Sequence, residues 1–593
     1  MALRVRSFVL AALLLALFVF VGQPVLAQTD TLTATGNTAG FGSSDLISII
    51  GTIIQVFLGI LGVLFLVLMI YAGFLWMTAG GDGKQVERAK KLIINAVVGI
   101  VIILMSYAIS SFIINALLDA TGAGNNNGGT NGAVTIPAFS GSLGGGAVRD
   151  HYPLRDQTDV VRNTNITVTF REQMEIKSLI DGYDDAGTPL DRADDTVTTT
   201  INSANVKIYA SAEGEETALT DVEVYFTDDL KTFVFNPVNY LGTSTGPVGY
   251  TVHLDSKIKN SAGQAVFVGI NGGGYEWSFD TGVELDLTPP TVTSVTPAAN
   301  GAYAKNIVVQ INFNEPIDPT SASGIRTALS GFTNIQVAGT DGVPTPGNYY
   351  ISNGYKSVTF ESASACGTNS CGETIYCLPG GQPIAVTVAA ATLGSSPPQA
   401  LGLPYDGIVD MAANSLDADR DGTAGDAYTW GFTTTDAVYL LGSSIESITP
   451  NIEAENVALD QDINLVFSDI LMSSSVSSDN IQLTNREITS GSVHEQWYRF
   501  DVDSLTADGQ LVTGVTQTPT KSSVTMPHGV LLESVDGKTY MYGVDVAQGL
   551  RNQYQNCYLP AKGPDATGGA CAVSAAAPYC CDGRAQATAC ALF

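Results

Sequence analysis

The chain has 593 residues, 45% of them hydrophobic, and carries 27 basic against 57 acidic side chains, a formal charge of −30. That length exceeds what one hydrophobic core supports and implies several domains. The charge is uneven: residues beyond 119 hold 21 of the basic and 52 of the acidic side chains. Such a surface repels nucleic acid and anionic membranes, which argues against nucleic-acid binding there, and it favours solubility or divalent cations.

In chain order, residues 1–27 read as a signal peptide. Arg4 and Arg6 form a positive start, Phe8 to Val21 an apolar run, and Val25-Leu26-Ala27 a small-residue cleavage site. The alternative is an uncleaved third membrane helix, for which this run is short. Residues 28–45 are small and polar, a flexible exported segment. Leu46 to Met77 and Leu92 to Leu118 contain no charged residue, and each exceeds the roughly 20 residues needed to span a bilayer core. They predict a transmembrane helical hairpin over 46–118, with helices 46–77 and 92–118. The connector 78–91 carries Lys84, Arg88, Lys90 and Lys91, and short basic loops stay cytoplasmic. These four contact lipid headgroups, line a lumen, or serve only as a topology signal. Everything after residue 118 then lies outside, extracellular or periplasmic. Small residues in both helices, among them Gly59, Gly62, Gly99 and Ser106, permit close helix packing, though membrane helices often have this composition.

Residues 119–147 are a Gly/Asn-rich linker. Beyond them, short alternating runs of Val, Ile, Thr, Tyr and Phe between turn residues signal β-sandwiches. The runs repeat at a long period. Asn165-Ile-Thr-Val-Thr-Phe170-Arg-Glu172 answers to Asn306 through Glu315 and to Asp462 through Asp469. Tyr275-Glu-Trp277-Ser-Phe279 answers to Tyr428-Thr-Trp430-Gly-Phe432, whose alternate residues should face a core. The repeat divides the tail into units at 148–284, 285–437 and 438–593. The third lacks a Tyr-x-Trp-x-Phe strand and ends in a cysteine-rich stretch. Either disulfides replace that strand or the chain stops before the unit closes. The predicted fold class is an N-terminal α-helical transmembrane hairpin followed by all-β tandem sandwich domains.

All eight cysteines, 366, 371, 377, 557, 571, 580, 581 and 590, lie in the exported tail. Disulfides persist in such a compartment, but spacing does not give connectivity. With three cysteines in unit two and five in unit three, one bridge between units or a free thiol in each satisfies the count. A zinc site is the rival reading, and the four scattered histidines give it no support.

At this point the residues carry a resemblance. Tyr71-Ala-Gly-Phe-Leu-Trp-Met-Thr-Ala-Gly-Gly-Asp, the basic stretch Lys84 to Lys91, and the apolar run from Leu92 resemble the two-helix pilins of type IV secretion systems, over about 28–120. The tail resembles bacterial Ig-like domains of S-layer and surface proteins through Phe313-Asn-Glu315-Pro316 and the Trp-x-Phe strands. The pilin resemblance implies a subunit held in the inner membrane and extracted into a filament, with its loop facing the lumen and its termini outward. Hundreds of appended residues would crowd a filament, which favours a minor or tip subunit, or a hairpin reused as an anchor.

Asp417-Ala-Asp419-Arg-Asp421-Gly422 opens like a calcium loop, with Asp426 close by and Tyr428 where the bidentate Glu is expected. The alternative is a solvated hairpin loop. No other cofactor is expected. Glu172, Glu315 and Asp469 share one repeat position and read as strand-end acids. No H-E-x-x-H or P-loop pattern occurs, so the expectation is a non-enzymatic surface protein. Its expected partners are membrane lipid, itself or other pilin subunits through the hairpin, and an extracellular protein or glycan of unknown identity. A non-polymerising, membrane-anchored adhesin or envelope structural protein is the alternative.

Overall fold

The computed structural model describes Tyr71, Phe74, Leu75, Met77, Glu87, Lys90 and Lys91 in the hairpin region, then 146–184, 195, 197–267, 274–326, 332–394, 400, 404–485, 497–529, 531, 542–581 and 583–588. The chain divides into two compact units, one of residues 1–117 with 127–134 and one of residues 118–126 with 135–593.

In the first, all seven described residues are helical. Glu87, Lys90 and Lys91, expected in the connector, are helical. Lys91 Nζ lies 2.9 Å from Glu87 Oε1, an i,i+4 pair that only a helix brings together. Among the described residues no helix is long and apolar enough to cross a membrane. The signal segment, most of both apolar stretches, Lys84 and Arg88 lie outside the described residues.

The second is built of sandwiches. In unit one, Ile166–Phe170 runs between Val148–Tyr152 and Thr232–Pro237, with Val222–Phe226 at the edge. Facing it are Val206–Ala210, Val248–Leu254 and Tyr275–Thr281. Tyr275–Thr281 alternates buried and outward residues along its length. Its inward set, Tyr275, Trp277 and Phe279, joins Phe170, Phe233 and Phe235 in one core. The alternation follows from the two-residue period of a strand.

Unit two repeats the plan. Val309–Phe313 pairs with Val292–Thr296 and Ser357–Ser362, and Tyr428–Thr435 pairs with Pro383–Val388 and, in parallel, with Ala302–Ala304. Trp430 and Phe432 are buried. In unit three, Ile463–Phe467 pairs with Ile445–Thr449 and Lys521–Met526. Among the described residues its second sheet holds two strands, Ile481–Asn485 and Tyr542–Val546. The cysteine-rich end contains a hairpin of Tyr579–Cys581 and Arg584–Gln586.

The three sandwiches are not isolated beads. Asn165 N of unit one donates to Met411 O of unit two at 2.7 Å, and Asn165 Nδ2 donates to Asp318 at 3.0 Å. Asn353 of unit two donates to Val502 O of unit three at 2.8 Å and accepts from Val502 N at 2.7 Å. Arg149 of unit one reaches Ser474 O of unit three at 2.9 Å, and Arg171 pairs with Asp479. Each unit therefore touches both others.

Candidate functional site

The aspartate loop before Trp430 brings together Asp417, Asp419 and Asp426, whose carboxylate oxygens lie within 4.8 Å of one another. Asp421 stands outside this group. The loop binds itself: Asp417 accepts from Arg420 N and Gly422 N at 2.7 and 2.9 Å, and Asp426 accepts from Ala418 N and Asp419 N at 3.1 and 3.0 Å. A carboxylate has about four lone-pair positions, so these bonds leave room for a cation. They also close the loop without one. Calcium takes six to eight oxygens, and three carboxylates supply that number only with bidentate binding, backbone carbonyls or water.

A second carboxylate group escaped the sequence reading. Asp286, Glu315 and Asp410 also lie within 4.8 Å of one another, where units one and two meet. Asp286 sits in the connection, its N–H donating to Asn163 Oδ1 at 2.8 Å while its carbonyl accepts from Asn163 Nδ2 at 2.8 Å. Glu315 follows the Val309–Phe313 strand in the Phe-x-Glu-Pro turn. Asp410 is buried and held by Ala412 N, Asn414 N and Asn414 Nδ2, each at 2.8 Å. Three negative charges so close cannot all persist cheaply away from water; one must take a proton or share a cation. Burial, and then the neighbouring charge of Asp286, pushes Glu315 up to about 7. Burial likewise holds Asp410 well above the usual carboxylate range. Tyr152 stays protonated beside them, pushed up to about 12 mainly by burial. Sequence offered one usable signal, an acid just ahead of Pro289-Pro290 in a connection. Nothing local marks Asp410. The repeat-related acids are not brought together, and Glu172 instead accepts from Asn260 Nδ2 at 2.7 Å.

The cysteines pair as Cys366–Cys377, Cys371–Cys557 and Cys571–Cys580. Cys581 is also disulfide-bonded, and Cys590 lies outside the described residues. Of the two arrangements that satisfied the count, the structure has the bridge between units, Cys371–Cys557. Around it the loop 552–557 docks unit three onto unit two. Gln555 Nε2 donates to Asn306 O and Tyr376 O at 2.9 and 2.7 Å, and Gln555 Oε1 accepts from Tyr376 N at 2.8 Å. Asn306 Nδ2 donates to Tyr439 O and Tyr554 O at 2.7 and 2.8 Å. Asn306 is fully buried, so each of these bonds replaces solvation that the residue has lost.

Residues 43–113 match the family described as Type IV secretion system pilin, and residues 147–281 and 286–370 match the Bacterial Ig-like domain family. The chain fuses a pilin segment to bacterial Ig-like domains. That make-up points to a surface protein. The first Ig-like match includes the strands of the unit-one core, and the second includes Glu315 and the strands Val292–Thr296, Val309–Phe313 and Ser357–Ser362 but ends before Pro383–Val388 and Tyr428–Thr435. The pilin match includes Lys84, Arg88, Lys90 and Lys91. No curated protein matches the chain.

Among solved structures, domains 1–6 of the surface layer protein SbsC are 10% identical, over 68% of this chain and 54% of that one, with a TM-score of 0.15. The S-layer protein rSbsC gives 10% identity over 82% and 63%, with a TM-score of 0.16. PcoC, a methionine-rich copper resistance protein from Escherichia coli, gives 16% identity over 25% and 99%, with a TM-score of 0.13. The chain thus spans less than two thirds of the surface-layer structures it resembles. Scores this low carry no argument about function.

Proposed function

We propose that this protein is a membrane-inserted, pilin-like subunit of a type IV secretion or pilus system that presents its Ig-like block outside the cell for assembly and adhesion, without catalysing a reaction. The observation that carries the reading is the fusion itself, a pilin-family segment followed in the same chain by Ig-like domains. The basic residues between the two apolar stretches support a cytoplasmic connector, which puts the block on the far side of the membrane. The disulfides support an oxidising compartment. A block of hundreds of residues per subunit favours a minor or tip position over the bulk of a filament. Calcium suits the two carboxylate groups, and its role at Asp286, Glu315 and Asp410 would be to stiffen the junction between units one and two.

The second reading is an anchored adhesin that never polymerises, favoured by the size of the block. Shearing intact cells and labelling both fractions with an antibody against the block separates the two under the electron microscope. Label on sheared filaments supports the pilin role. Label confined to the envelope, with no filaments, overturns it.

A further inference from the structure

Unit three departs from its two neighbours in the cover over Tyr542–Val546. One repeated bond aligns the three units there. Asp255 N donates to Asn205 O at 2.8 Å, Ala389 N to Asn334 O at 2.8 Å, and Ala547 N to Asn480 O at 2.7 Å. Val252 and Leu254 of unit one, Val386 and Val388 of unit two, and Val544 and Val546 of unit three are thus counterparts. The first four are at most 1% exposed. Val544 and Val546 are only half-buried, although they pack on the unit-three core. The neighbouring strand shows the same contrast. Ile208 and Val337, paired with Val252 and Val386, are fully buried, whereas Leu483, paired with Val544, is half-buried.

In units one and two the cover is a strand. Trp277 lies opposite Val252 and Tyr275 opposite Leu254. Trp430 lies opposite Val386 and Tyr428 opposite Val388. No Tyr-x-Trp-x-Phe follows residue 432. The one later tryptophan, Trp497, is engaged elsewhere: its carbonyl accepts from Gly529 N at 2.8 Å, past the end of Lys521–Met526 in the other sheet. Nor does the cysteine-rich end join this sheet, since among the described residues Tyr579–Cys581 and Arg584–Gln586 pair with each other. The backbone suits an incoming strand. Hydrogen-bonding groups alternate sides along a strand, and the Ala547 N–H faces Asn480. The N–H groups of Val544 and Val546 therefore point to the side that Tyr275–Thr281 and Tyr428–Thr435 occupy in the other units.

We propose that unit three takes its closing strand from another polypeptide, an extended segment with large aromatic side chains at alternate positions, laid beside Tyr542–Val546. Main-chain bonds to the Val544 and Val546 amides supply affinity, and the alternate side chains that cover Leu483, Val544 and Val546 supply specificity. A second copy's closing strands are not available for this, because Trp277, Phe279, Trp430 and Phe432 are buried in their own cores. The donor is therefore a different subunit. This deepens the assembly reading given above and rests on it, since a donated strand joins unit three to its neighbour.

The test uses the detergent-solubilised full chain and a labelled synthetic peptide, Tyr-Thr-Trp-Gly-Phe-Thr-Thr-Thr, the sequence of the unit-two closing strand. A scrambled peptide of the same composition controls for uptake by detergent. Fluorescence anisotropy reads binding, and hydrogen exchange reads its place. The strand peptide is expected to bind one-to-one, at least about tenfold tighter than the scrambled one, because only it makes the aromatic cross-strand pairs. Exchange at the Val544 and Val546 amides is expected to slow. Val544→Asp is expected to weaken binding by about tenfold or more, since it buries a charge under the incoming strand. A peptide with Ser in place of Trp and Phe is expected to fall to the scrambled level, and keeps the test valid if Val544→Asp unfolds unit three. Absence of binding, as in a sheet closed by the chain's own residues, would overturn the proposal. Equal binding of the scrambled peptide, or binding without slowed exchange at Val544 and Val546, would do the same. The result is distinguishable from the shear experiment, because peptide binding by the purified chain does not require filaments.

Discussion

Removing the Cys371–Cys557 bridge is the sharpest perturbation of the Ig-like block. The bridge closes a loop across a sequence separation of 186, and chain entropy assigns such a closure about 5 kcal/mol. The docking contacts of the loop 552–557 remain when the sulfurs go. The Gln555 and Asn306 side chains contribute six hydrogen bonds at this junction, each worth about 1 kcal/mol net. Bridge and network are therefore of similar size, and unit three should stay docked at 25 °C in the double variant Cys371→Ser, Cys557→Ser. On heating, the balance changes. Calorimetry should resolve a separate transition for unit three, lower than in the parent by more than about 5 °C. Chymotrypsin should also cut faster at the exposed Leu440 and Leu441, which connect units two and three. If the variant melts in the same transitions at the same temperatures, with unchanged cleavage, then the bridge carries no load between units and the entropy argument fails.

Other expectations follow from the same geometry. Glu315 is pushed from its ordinary 4.5 to about 7, so its contribution favours the folded block at low pH and turns into a penalty as pH rises through that window. At about 1.4 kcal/mol per pKa unit the penalty reaches at most about 3 kcal/mol. Glu315→Gln should therefore raise the melting temperature at pH 8 in chelator and change it little at pH 4; equal effects at both would refute the charge argument. Calcium should raise the melting temperature of the parent at pH 8 by more than that of Glu315→Gln, and an identical rise would remove Glu315 from the cation's ligands. Trp277→Ala should cost about 3–5 kcal/mol in denaturant unfolding of unit one, since the ring is fully buried; a cost under about 1 kcal/mol would contradict its place in the core. Asp479→Ala should cost less than about 1 kcal/mol, because the Asp479 side chain is 71% exposed, and a larger loss in the same assay would mean that its pair with Arg171 helps hold units one and three together.

Much of the fold was legible along the chain because its signals are local. The two-residue period that puts Trp277 and Phe279 on one face is a property of any strand, and it reads directly from Tyr-Glu-Trp-Ser-Phe. The recurrence of Asn-Ile-Thr-Val-Thr-Phe, with its relatives at 306 and 462, marked the central strand of each sandwich for the same reason. Glu87, Lys90 and Lys91 read as connector because charge marks a membrane boundary, whereas their backbone is helical.

By itself, then, the amino-acid order determined strand periodicity, the repeat, the acidic character of the tail and the likeness of its two parts to known families. Tertiary structure alone decided that Cys371 meets Cys557, and that Asp286, Glu315 and Asp410 share one junction. Each of those groupings joins residues tens to hundreds of positions apart. Their proximity comes from how whole sandwiches pack, and no short-range periodicity encodes that packing.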